Sequence, residues 1–116
     1  MKTSYFGCIK IKGLRDNLVS VSMKPPEYFL PFIKIYKALC PSYQLVMEYK
    51  KGIITEYEYT RQYYSTKLDC LDPKKVYKEL GEDSILLCYE KSGKFCHRRL
   101  IAKWFQENLN IIVPEL

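Results

Sequence analysis

The sequence predicts an α/β fold: a single three-layer domain over residues 1–116, built on a mostly parallel sheet of about four strands with helices on both faces. Three observations predict it. Short segments with strand character are separated by segments with helix caps and helical spacing, and strands joined through helices pair in parallel. Ile85, Leu86 and Leu87 form a continuous apolar run, the pattern of a strand covered on both sides. Finally, 116 residues at 47% hydrophobic and 28% charged suit one hydrophobic core and leave no length for a second.

Taken in order, Ser4 to Lys12 alternates in the period of a strand, and Gly13 with Arg15-Asp16-Asn17 breaks it. Leu18 to Ser22 is short and β-branched between breakers, so it reads as a second strand inside the sheet. Pro25, Pro26 and Pro31 then forbid a regular helix or a central strand. Phe32 to Leu39 reads as a short helix before Pro41. Ser42 caps a helix that Gly52 stops, and Thr55-x-x-Glu58 is a capping box opening another that reaches Leu68 or beyond. Asp72 with Pro73 starts a third helix, ended by Gly81. Ser84 to Glu90 returns to strand character. The last helix carries Leu100, Ile101, Trp104, Phe105 and Leu109 on its apolar side, and Ile111 to Val113 reads as a final strand.

No window holds the roughly 18 apolar residues that cross a bilayer, and the opening residues lack the continuous apolar core of a signal peptide. The expectation is a cytoplasmic protein with no membrane partner. Five scattered cysteines do not resemble a secreted disulfide framework, so reduced thiols are expected. The formal charge of +6 steers phosphate-bearing partners towards the surface, though a solvated basic surface needs no such partner. Oligomeric state leaves no signature in the sequence.

Candidate chemistry concentrates between Ser84 and Asn108. Cys88 and Glu90 lie two apart near a strand's carboxyl end, which puts them on one face. Lys94 sits in the loop that follows, and Cys96-His97-Arg98 opens a helix whose free N–H groups and dipole favour an anion. On a helical projection His97 points at the sheet, as a base in the crevice or as a core histidine tied to a neighbouring loop; Arg98 stands at the rim and Arg99 points away. Either cysteine is a candidate nucleophile as well as a packing residue. Cys88, Glu90 and His97 are thus the candidate catalytic residues, and Cys96, Arg98 and Lys94 the candidate ligand-binding ones.

Two familiar chemistries do not fit. A cysteine phosphatase loop needs Arg six residues after its Cys, and Lys94 holds that place after Cys88. Zinc is disfavoured because there is no CxxC pair and the adjacent Cys96 and His97 would diverge by ~100° on a helix. No metal is expected, and no cofactor motif is present.

The run LLCYEKSGKFCHRRLIAKWF resembles the signature of domain-of-unknown-function family 488, a strand ending Cys-x-Glu paired with a helix beginning Cys-His-Arg. The similarity extends upstream through Leu39-Cys40-Pro41-Ser42, Tyr49 to Tyr64, and Leu71-Asp72-Pro73. Members follow the second strand with Ser, a few residues, Pro and an aromatic; Ser22, Pro25 or Pro26 and Tyr28 take comparable places. The resemblance implies a cytosolic α/β domain and draws attention to Cys88, Glu90, Cys96, His97 and Arg98, without implying a reaction. Two functional readings follow: an enzyme acting on a nucleotide or nucleic-acid substrate through an anion pocket, or a non-catalytic module binding a nucleic acid or protein through the same basic site.

Overall fold

A computed structural model describes all residues 1–116. Its sheet has four strands, β1 (Lys2–Tyr5), β2 (Leu18–Ser20), β3 (Ile33–Ile35) and β4 (Ile85–Cys88), in the order β1-β4-β2-β3. Every pairing is parallel. The apolar β4 runs in the middle, with Leu86 opposite Thr3 on one side and Val19 on the other. This explains its lack of polar alternation, since both of its faces are covered.

The helices are α1 (Tyr43–Lys50), α2 (Glu56–Thr66), α3 (Pro73–Leu80) and α4 (His97–Leu109). The first three start where a side-chain cap dictates. Ser42 Oγ accepts from Leu45 N at 3.1 Å, Thr55 and Glu58 complete both halves of a capping box, and Asp72 accepts from Lys74 N with Pro73 behind it. Gly81 ends α3 at φ 90°, a conformation that a side chain would strain.

Alternation along the strands divides the core in two. Val19, Leu86 and Cys88 face the four α-helices in a cluster completed by Tyr59, Tyr63, Ile101 and Phe105. Leu18 and Leu87 face the other way, against Phe6, Ile11 and Phe29, where short 3-10 turns at Ile9–Ile11 and Glu27–Phe32 form the covering layer.

Three element expectations are corrected. The first strand is Lys2–Tyr5, and the alternating residues after it turn into the 3-10 segment, because Phe6, Cys8 and Ile11 pack under the sheet. Phe32 to Leu39 is no helix: Ile33–Ile35 is the edge strand β3, paired with β2, before a 3-10 turn at Lys37–Leu39. Ile111 to Val113 forms no strand; the tail pairs with the sheet's backbone through one parallel bridge between Thr3 and Glu115.

Candidate functional site

Because β4 and β2 are adjacent and parallel, their carboxyl ends open one crevice, the usual ligand position in such sheets. A cavity of about 720 Å³ lies there. Ser22, Met23 and Lys24 enter it from the end of β2, Tyr49 and Lys50 from α1, Tyr59 from α2, and residues 88–90 with 93–97 from the β4–α4 connection. Its wall is aromatic: Phe95 lies 5.1 Å from Tyr49 and 5.2 Å from Tyr59, ring centre to ring centre. Lys24, Lys50 and Lys94 bring cations to it, against the carboxylates Glu56 and Glu90.

Beneath lies a polar cluster organised around Arg98. Its guanidinium is 1% exposed, and a buried Arg persists only when its charge is matched. Glu115 matches it with a two-pronged pair, Nε to Oε1 at 3.1 Å and Nη2 to Oε2 at 2.7 Å. Nη1 donates to Cys88 Sγ at 2.9 Å and to the Glu90 carbonyl at 2.6 Å. Thr3 and Ser92 donate to Glu115 at 2.5 and 2.6 Å. Burial pushes the Glu115 carboxyl up, but the bonds from Arg98, Ser92 and Thr3 prevail and hold it at about 2.

His97 is buried, with Nε2 2.6 Å from the Val21 carbonyl. A carbonyl only accepts, so Nε2 carries the proton and Nδ1 presents a lone pair, 3.7 Å from Cys96 Sγ. Burial lowers its pKa to about 4, assisted by the Arg98 charge and opposed by the Val21 bond. The imidazole is therefore neutral at neutral pH. Cys96 is the N-cap of α4, and its sulfur lies within bonding distance of Cys88 Sγ.

The predicted residues therefore divide. Cys88, Glu90, Lys94, Cys96 and His97 all line the cavity. Glu90 stands beyond the end of β4, so the chain's bend after the strand places it there rather than strand alternation. Arg98 is not at the rim: its fork is spent on Glu115, Cys88 and the Glu90 carbonyl, and it acts from beneath. Reduced thiols were expected throughout, yet Cys88 and Cys96 meet; only Cys8, Cys40 and Cys70 are free.

The ~100° divergence argued against a shared metal also fails here. Cys96 is an extended cap at φ −151°, ψ 142° and not a helical residue, so helical spacing does not govern its direction. Cys88 Sγ, Cys96 Sγ and a His97 nitrogen gather within 4.8 Å of one another, a donor set of the type soft metals accept. Glu115, Tyr49 and Met47 escaped the sequence reading of the site. The one signal for Glu115 was indirect, since an Arg beside a buried helix face requires a counter-charge.

A family model described as "Active DUF488-N3 subclade" (DUF488-N3a) matches residues 21–109, well over half of the chain and in agreement with the resemblance drawn from Cys-x-Glu and Cys-His-Arg. Comparison with curated proteins and with solved structures returned no match.

Proposed function

We propose, given that the chain belongs to the DUF488-N3a family, that it is a cysteine-dependent enzyme acting on a nucleotide or on a nucleotide unit of a nucleic acid, with Cys88 as its nucleophile. One observation carries this reading: a buried guanidinium donates directly to Cys88 Sγ at 2.9 Å at the base of an open, aromatic-walled cavity. A positive charge against sulfur stabilises the thiolate, the form that attacks. The family's description as active agrees with catalysis.

The rings of Tyr49 and Phe95 suit a base, which stacks on aromatic side chains, and Lys24, Lys50 and Lys94 suit its phosphate. Phosphate is here a handle and not the reacting group. Phosphoryl transfer to a cysteine needs an Arg fork open to the phosphate, and the Arg98 fork is closed by Glu115 and the Glu90 carbonyl. Glu90, whose carboxylate stands on the wall without a protein hydrogen bond, takes the general acid–base role. His97 is a positioning residue: its neutral ring ties α4 to Val21 and faces Cys96.

Alkylation of the reduced protein by iodoacetamide, mapped by mass spectrometry across pH, tests this with exposed Cys70 as the internal reference. Cys88 is expected to react at lower pH than Cys70, and single-stranded DNA or nucleoside monophosphates are expected to slow Cys88 alone. A Cys88 profile no different from that of Cys70, with no protection, sinks the catalytic reading; protection without any shift in the profile points to the non-catalytic module.

A further inference from the structure

Of the five cysteines, Cys8 packs under the sheet and Cys40 lies at the end of a 3-10 turn, both buried, while Cys70 is exposed. Only Cys88 and Cys96 meet, and they do so where the cavity reaches the sheet. Their surroundings differ in kind. Cys88 faces the Arg98 guanidinium, which favours an attacking thiolate, whereas Cys96 faces the His97 Nδ1 lone pair, which accepts its S–H. The chain between them, Tyr89 to Phe95, is also a wall of the cavity through Glu90, Gly93, Lys94 and Phe95.

We propose that Cys88 and Cys96 form a redox centre at the base of the cavity that exchanges with low-molecular-weight thiols and disulfides, Cys88 as the attacking sulfur and Cys96 as the resolving one. It rests on the preceding reading, in which Cys88 is the nucleophile.

Oxidation runs in two balanced steps. The Cys88 thiolate attacks one sulfur of a small disulfide R–S–S–R; the R–S–S–R bond breaks, a Cys88–S–S–R bond forms, and R–S⁻ departs to take a proton. Cys96 then attacks Cys88 Sγ, giving up its own proton. The Cys88–S–S–R bond breaks, the Cys88–Cys96 bond forms, and the second R–S⁻ leaves as R–SH. Two electrons pass from the pair to the small disulfide. Two small thiols reverse the cycle and free Cys88 for substrate. Closing the bond ties Cys96, at the head of α4, to the end of β4, so the oxidised cavity has its nucleophile withdrawn and one wall tethered.

Oxidised glutathione as the probe, with intact-mass and peptide mapping, tests the proposal on wild-type chain and on Cys96→Ser. Serine is a strong N-cap, so α4 keeps its start in that variant. The wild type is expected to lose two hydrogens in mass and to carry a Cys88–Cys96 peptide link, with glutathione adduct only transient. Cys96→Ser is expected to stop at a lasting glutathione adduct on Cys88. A wild type that keeps the adduct while Cys88 still alkylates at low pH overturns the resolving role and leaves the nucleophile in place. Failure of Cys88 to alkylate or form any adduct, in both proteins, overturns both readings. If the reduced wild type holds zinc through dialysis and resists the probe, the two sulfurs are metal ligands and the redox centre is overturned.

Discussion

His97 is the chain's single histidine, so its titration can be followed with no overlap from another imidazole. Burial holds its pKa at about 4 in the fold, against an ordinary value of 6.5. Above pH 6.5 the ring is neutral folded or unfolded, and the fold pays no penalty. As pH falls from 6.5 to 4 the unfolded chain takes up a proton that the folded chain refuses, and stability declines by up to about 1.4 kcal/mol per pH unit. NMR of the ring carbons is expected to show a midpoint near 4, and His97→Gln, which can still donate to Val21, is expected to flatten the stability curve in that window. A midpoint near 6.5 would mean that the ring is wet and that Cys96 lacks the partner assigned to it.

At the scale of elements, α2 shows most directly how local sequence supports the site. Tyr59 lines the cavity and Tyr63 stacks edge-on against His97 at 5.5 Å, so both depend on where this helix begins. Thr55→Ala removes the side-chain half of the capping box and is expected to cost about 1 kcal/mol, read as a lower urea midpoint at unchanged slope. The same helix marks what was legible in the sequence. Thr55, Ser42, Asp72 and the glycines announced three helices because caps are local chemistry, and Ile85 to Leu87 announced the central strand by composition. The edge strand Ile33–Ile35 was not legible: its three residues alternate too briefly for a period, and its identity comes from pairing with β2. The same limit applies to the site. Cys88, Glu90, Lys94, Cys96 and His97 share the cavity because the end of β4, the short loop after it and the start of α4 are contiguous in sequence, while Arg98 was misplaced because its counter-charge arrives from the distant tail.

The whole molecule is closed by that tail, which lies beyond the residues matched by the family model. Thr3 N donates to the Pro114 carbonyl at 2.9 Å and Leu116 N to the Thr3 carbonyl at 2.7 Å, so residues 114–116 cover the outer edge of β1, where unpaired backbone groups would otherwise face water. Arg99 adds bonds to Thr3 Oγ1 at 2.8 Å and to the Val113 carbonyl at 2.9 Å. From that position Glu115 holds Arg98, and Arg98 holds Cys88: edge closure and nucleophile are one network. Two variants separate the contributions. Glu115→Ala leaves a buried guanidinium without its counter-charge, a loss that reaches about 3 kcal/mol where pairs are fully buried and is smaller for a partly exposed carboxylate. Ending the chain at Val113 removes the β1 bonds as well and is expected to be the less stable of the two by urea unfolding, with faster amide exchange at Thr3. Both should move the Cys88 alkylation profile to higher pH, since Arg98 would be free to turn from the sulfur. A profile that stays put in both variants would show that Arg98 keeps its place on Cys88 through the Glu90 carbonyl alone, and that the tail serves the sheet and not the thiol.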